Sequence, residues 1–163
     1  MSERTQIRAL EERDLCALVQ LCREHAEFER AAWEPRERTQ ALASLFLDAP
    51  RARCWVIECE ARLVGFASAA SELSTWDAAF FVHLDCIFLQ PAHRGQGLGR
   101  ELMERVCAWA RELGAINIQW QTPVWNQEAI GFYRKFGARS TEKQRFQLGR
   151  EAYQALQMNP PGK

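Results

Sequence analysis

The sequence predicts an α/β fold with a mixed sheet, and three observations predict it. Segments with strand patterning alternate along the chain with segments whose apolar residues recur at helical spacing. At 163 residues the chain is long enough to bury a core and is the size of one domain, residues 1–163. One stretch, VHLDCIFLQPAHRGQGLGRELMERVCAWAREL from Val82 to Leu113, reads as a strand, a glycine-broken turn and a helix.

Taken in order, Thr5 to Ala9 is a short strand, and Glu12 to Glu29 is a helix whose Leu15, Leu18, Val19, Cys22 and Ala26 share a face. Pro35 to Leu47 gives a second helix through Leu42, Leu45 and Phe46, opened by a proline in its first turn and closed by Pro50. Arg53 to Cys59 and Arg62 to Ser71 are strands joined by a Glu60-Ala61 hairpin, with Gly65 a candidate bulge. Ser74 to Ala79 is a loop, in which Trp76 and Asp77 either cover the core or line a substrate mouth. Val82 to Leu89 is mostly β-branched, aromatic or aliphatic, as a buried strand requires, and Pro91 ends it. Leu98, Leu102, Val106, Ala110 and Leu113 then form a helical stripe, so this helix begins inside the glycines. Ala115 to Thr122 is a strand with Ile116, Ile118 and Trp120 on one face and Asn117, Gln119 and Gln121 on the other. Asn126 caps a helix over 127–136 that Gly137 stops. Gln144 to Leu148 is a last strand, and Glu151 to Met158 a helical turn before the Pro160-Pro161 tail.

Composition excludes several function classes. Lysine plus arginine equals aspartate plus glutamate at 21 each, so a nucleic-acid partner held by bulk positive charge is not expected. No long apolar run or signal-like start is visible, which predicts a cytoplasmic protein without a membrane partner. The six cysteines sit within apolar stretches and read as buried free thiols rather than a disulfide framework. The scattered His25, His83 and His93 give no ligand spacing for a metal. Cys86 could serve as a nucleophile, but packing as a small hydrophobe is the better reading.

The chemistry concentrates in Arg94-Gly95-Gln96-Gly97-Leu98-Gly99-Arg100. Glycine costs a helix roughly 0.8 to 1 kcal/mol relative to alanine, so three near one helix start need a reason. A helix N-terminus offers unpaired N–H groups and partial positive charge, and glycine lets that backbone approach a phosphate, to which Arg94 could add a bidentate contact. An ordinary strand-to-helix turn is the alternative. The spacing is G-x-G-x-G, which is neither the dinucleotide fingerprint nor a P-loop, so an NAD-dependent oxidoreductase or an ATP site is disfavoured.

Arg94, Gly97 and Gly99, placed after a strand and opening a helix, resemble the acyl-CoA pyrophosphate loop of the GNAT acetyltransferases. A second block from Trp125 to Ala138, WNQEAIGFYRKFGA, is similar to that family's Asn, Ala, Phe-Tyr and Phe-Gly-Ala segment. The resemblance covers nearly the whole chain and is nearest to the diamine (spermidine/spermine, thialysine) branch. It implies a central, mostly antiparallel sheet flanked by helices, with two strands splayed apart. Backbone groups of Ile87, Phe88 and Leu89 would then bind the pantetheine arm of acetyl-CoA, the loop from Arg94 to Arg100 its diphosphate, and Asn126 and Tyr133 would complete the cofactor set. It implies a homodimer, to which the tryptophans and the terminal strand would supply a surface; the scattered histidines already argue for no metal.

Amine acetylation requires a base, because a lysine-like amine with pKa about 10.4 is mostly protonated at pH 7. Asp85 matches the branch's glutamate; being one methylene shorter, it is expected to work through a water, and its apolar strand suggests poor solvation. A carboxylate held by backbone or arginine is the structural alternative. Tyr133 matches the tyrosine near the thioester sulfur, where a phenol donates a proton to the departing thiolate. Phe28 and Glu29 match the branch's aromatic–acid pair, though a solvated helix end explains them too. Glu27, Asp85, Gln119, Gln121 and Glu142 are further candidates to meet a cationic substrate. The expected reaction is acetyl transfer from acetyl-CoA to a primary amine of a small molecule, a polyamine or lysine-like amine first. The alternatives are an aminoglycoside, an amino acid, a protein N-terminus, or a non-catalytic acyl-CoA-binding module.

Overall fold

Five strands lie side by side in chain order in one sheet: β1 (Thr5–Ala9), β2 (Ala52–Cys59), β3 (Arg62–Ser74), β4 (Ala79–Leu89) and β5 (Ile118–Gln119). The structure is a computed structural model, and it describes residues 5–34, 36–48 and 51–156. The expected helix start at Pro35, the stop at Pro50 and the end of the terminal turn at Met158, with the Pro160-Pro161 tail, lie outside the described residues.

Two compact units divide the chain, Met1–Pro123 and Val124–Lys163. The first holds the sheet and three helices. A single 3-10 turn, Glu12–Asp14, leads into α1 (Leu15–Phe28), and α2 (Thr39–Phe46) follows. Leu15, Leu18 and Leu21 of α1 pack with Cys54, Val56, Phe66 and Phe88 on one face of the sheet, where Leu42, Ala43 and Phe46 of α2 join them. Leu21, not Val19 or Ala26, completes the buried stripe of α1. Trp55 alternates with Cys54 and Val56 and so points to the other face, where its ring meets Trp109 of α3 (Leu98–Glu112) at 6.0 Å. The buried set of α3 includes Met103 and Trp109 as well as the expected stripe, whereas Leu113 is exposed.

Pairing from β1 to β4 is antiparallel, while β5 joins β4 parallel. A parallel neighbour needs a crossover, and α3 supplies it. The expected strand from Ala115 to Thr122 contracts to the two residues of β5, with Ile116 exposed. Only Val82 and His83 of β4 have partners there, Ile118 and Gln119, so the two strands part company beyond His83.

Two irregularities set the geometry of β3 and β4. The Glu60-Ala61 hairpin uses left-handed φ at both residues (48° and 62°), which matches the strand twist at a steric cost. Near it, Ile57 pairs with Gly65 but Glu58 with Leu63, which leaves Val64 as the extra residue beside the glycine where a bulge is expected. A Cβ at Gly65 would lie 2.7 Å from the Phe88 carbonyl oxygen, so close approach of β4 requires glycine there. Further along, Ser68 pairs with Cys86 but Ala69 with Leu84, and Asp85 is the extra residue.

In the second unit, α4 (Gln127–Arg134) is followed by α5 (Arg150–Ala155). Gln144 to Leu148 forms no strand, and Phe146 is 85% exposed. Alternating residues alone do not make a strand; the backbone also needs a neighbour to pair with.

Candidate active site

The end of β4 and the head of α3 are built by their turn. Pro91 opens a 3-10 turn, Pro91–His93, and the chain then passes through Gly95 (φ 75°) and Gly97 (φ 87°). Gly97 is the N-cap of α3, and its carbonyl accepts from the N–H groups of Arg100 (2.9 Å) and Glu101 (3.1 Å). Nothing lies within 4 Å of a Cβ placed at Gly95 or Gly97, so conformation rather than space selects glycine at both. The earlier N–H groups of α3, at Leu98 and Gly99, lie in the first turn, where a helix cannot pair its own donors. Arg94 fixes the turn: its Nε donates to the Leu89 carbonyl at 3.0 Å, and its guanidinium lies 4.8 Å from the Phe28 ring centre. Gln96 bonds the Ala92 carbonyl, and Arg100 pairs with Glu104 along the exposed side of α3.

Beside this turn the bulge concentrates acidic and aromatic groups. Phe66 pairs with Phe88 and Ser68 with Cys86, so Cys86 and Phe88 face α1, while Leu84, opposite Ala69, faces α3. The extra residue changes the alternation, and Asp85 meets the α1 side, with the Ser68 hydroxyl donating to its Oδ2 at 3.4 Å. Asp85 is exposed, so the poor solvation expected for it is not what the bulge provides. On α1, His25 stacks on Phe88 (ring centres 5.2 Å apart) and meets Phe66 edge-on. Its Nε2 lies 3.4 Å from Glu29 Oε1, one helical turn on. Burial depresses the His25 pKa, with Arg94 acting the same way, while Glu29 and Asp85 pull it up without reversing the shift.

Phe28, Glu29, Asp85, Phe88, Leu89 and Arg94 therefore converge where α1 ends and β4 enters its turn, and Ile87 is half-buried within the same strand. Glu27 pairs instead with Arg23 on the exposed side of α1 at 2.9 Å. Gln119 lies on β5 and bonds Asn117, and Gln121 is exposed beyond the strand. Asn126, Tyr133 and Glu142 belong to the second unit. There Asn126 Oδ1 accepts from Ala129 N at 3.2 Å as the expected cap, Tyr133 is half-buried against the Phe132 ring, and Glu142 is exposed.

Sequence reasoning missed His25 and Ser68. The four-residue spacing of His25 and Glu29 on one helix was a usable signal. Ser68 offered none, because its partner depends on a register shift.

Burial, reinforced by Asp85, pushes the Cys86 thiol far above its ordinary value, and burial pushes Cys22 up to about 11. Thiols in that state do not act as nucleophiles at neutral pH, and Cys86 is a packing residue. None of the six cysteines forms a disulfide, and Cys16, against expectation, is exposed. Among the described residues no group of three or more His, Cys, Asp or Glu side chains could hold a metal, and no helix is long and apolar enough to cross a membrane.

Comparison with known proteins gives the family. The profile of the acetyltransferase (GNAT) family matches residues 18–138. Thialysine N-epsilon-acetyltransferase of Mus musculus is 29% identical over 143 residues, covering 82% of this chain and 84% of its own. D-amino-acid N-acetyltransferase of Saccharomyces cerevisiae is 29% identical over 139 residues, covering 83% and 85%. Among solved structures, an aminoglycoside N-acetyltransferase in complex with CoA has a TM-score of 0.77 over 92% of this chain and 97% of that one, and at 20% identity the likeness is one of fold. Because the profile runs from within α1 to just past α4, the chain belongs to the acetyltransferase (GNAT) family, and its activity is acetyl transfer to an amine.

Proposed function

We propose that the protein transfers the acetyl group of acetyl-CoA directly to a primary amine of a small molecule, with a polyamine or lysine-like amine as the leading acceptor. One observation carries this reading: a left-handed glycine turn heads α3 directly after a strand that has parted from its neighbour, and an acidic, aromatic cluster stands beside that strand. Open backbone at Gly95 and Gly97 and the first-turn N–H groups of α3 suit a diphosphate. Over Ile87 to Leu89, β4 is paired with β3 on one edge and has no β5 partner on the other, and that second edge suits an amide-bearing arm; acetyl-CoA, when bound, supplies a thioester acetyl group.

The residues of the chain do the rest. Glu29 and Phe28 receive the cationic end of the acceptor, helped by Gln119, Gln121 and Glu142. Asp85, exposed on its bulge, accepts the ammonium proton through a water. An N–H near Leu89 steadies negative charge developing on the carbonyl oxygen. Tyr133 gives a proton to the leaving sulfur. The relative that acts on thialysine, a lysine-like amine, supports the choice of acceptor. We also propose that residues 1–163 form one acetyltransferase domain, that the protein is a homodimer, and that it works in the cytoplasm, where a reducing environment suits six cysteines that form no disulfide.

Thiol release from acetyl-CoA in the presence of an amine panel tests the proposal. Release with diamines or lysine analogues is expected. Calorimetric binding of coenzyme A without release for any amine would instead indicate an acyl-CoA-binding module, and no binding at all would remove the reading entirely.

A further inference from the structure

We propose that His25 is a positioning residue for the acceptor amine: its Nε2–H holds the Glu29 carboxylate ready for an ammonium group, and protonation of the imidazole closes that site to cations. The inference rests on the assignment of Glu29 to amine binding and goes beyond it.

The geometry is specific. His25 is fixed by a stacked contact with Phe88 and an edge contact with Phe66, and its side chain is only 14% exposed, whereas that of Glu29 is 34% exposed. The buried member of the pair is therefore held by the core, and it reaches the accessible carboxylate at 3.4 Å. Phe88 belongs to the strand segment assigned to the acyl donor, so one imidazole bridges the two substrate regions. A neutral imidazole donating one hydrogen bond leaves the carboxylate charge available to a substrate. An imidazolium in the same place satisfies that charge and repels an arriving ammonium. The charged groups acting on His25 are Glu29 on its own helix, Asp85 on β4 and Arg94 in the turn. Cys22, one turn earlier on α1, is kept neutral by burial, and β3 presents the Phe66 ring. Burial keeps His25 neutral near pH 7, so the site is open there and closes in acid.

The experiment measures the KM for 1,3-diaminopropane from pH 5 to 8 at saturating acetyl-CoA in the wild type, His25→Gln and Glu29→Gln. Below the imidazole midpoint the wild-type KM is expected to rise about tenfold per pH unit. In His25→Gln that limb is lost, so KM no longer rises in acid, and Glu29→Gln raises KM throughout. A parallel NMR titration of His25 in the wild type does not depend on variant folding: by reciprocity, saturating 1,3-diaminopropane must move the imidazole midpoint to lower pH. An unmoved midpoint, a His25→Gln profile identical to wild type, or an unchanged KM in Glu29→Gln overturns the inference. These failures are separable from failure of the acetyltransferase reading, which shows as absent thiol release with every amine in the panel.

Discussion

Asp85 meets the α1 side of the sheet because Ser68 and Ala69 pair with residues two apart, not one, on β4. An aspartate has one methylene fewer than glutamate, and the bulge, by turning this backbone outward, gives the short side chain access to water rather than reach to the substrate. That favours proton transfer through solvent. Replacing Asp85 with Asn should lower kcat/KM about 100-fold at pH 7, the usual worth of a positioned base. The deficit should shrink as pH approaches the amine pKa, because the acceptor then deprotonates unaided; a pH–rate profile of the variant checks this. Tyr133→Phe should behave differently, lowering kcat by about 10- to 100-fold with little change in the amine KM, since a leaving-group acid is used only in the transition state. Full turnover by both variants across pH would dismiss both roles.

Elements explain what was and was not legible beforehand. The β4–turn–α3 unit could be read from sequence because each of its signals is local: an apolar run, Pro91, glycines at the cap, and a helical stripe. The Asp85 bulge could not, because it is a relation between β3 and β4 and leaves no pattern in either alone. The same holds for β5, whose alternation over Ala115 to Thr122 yields only two paired residues, and for Gln144 to Leu148, which has the pattern of a strand and no paired neighbour among the described residues. The place of Asp85 on β4 is legible in the sequence, whereas its exposure follows from the bulge and is not. Two glycines separate local from relational demands. Gly97→Ala meets no neighbour but must hold φ near 87°, a strain of about 1–2 kcal/mol that should distort the cap and weaken coenzyme A binding about tenfold by calorimetry. Gly65→Ala instead forces its Cβ against the Phe88 carbonyl, so it should lower the melting temperature and shift the backbone amide signals of Phe88 and Leu89. An unshifted spectrum with unchanged melting would mean β3 and β4 do not need this approach.

Across the whole first unit, one charged side chain ties together β1, the 3-10 turn before α1, and β2. Arg8 of β1 makes two bonds to Asp14, at 2.6 and 2.9 Å, and two more to Glu58 of β2, at 2.8 and 2.5 Å. Asp14 is 5% exposed and also accepts from the Glu11 backbone N–H, so it sets the entry of α1, the helix that carries His25, Phe28 and Glu29. Burial alone would raise the Asp14 pKa, but Arg8, the Glu11 backbone N–H and Arg13 together outweigh it and hold the carboxyl below its ordinary range. A carboxylate whose folded pKa is depressed contributes its full stability above the unfolded value, near 3.9, and loses it as pH falls through the folded value. Acid unfolding of the wild type should therefore show a stability loss beginning near pH 4, beyond what general protonation produces. Asp14→Asn removes one partner of a mostly buried pair and leaves Arg8 under-compensated, a change worth about 2–4 kcal/mol and a fall in melting temperature of roughly 5–15 °C at pH 7. Its stability should also vary less than the wild type's between pH 5 and 2.5. Denaturant unfolding at several pH values checks both; wild-type and variant curves falling in parallel over that interval would show that the Arg8–Asp14 pair is not what acid breaks first.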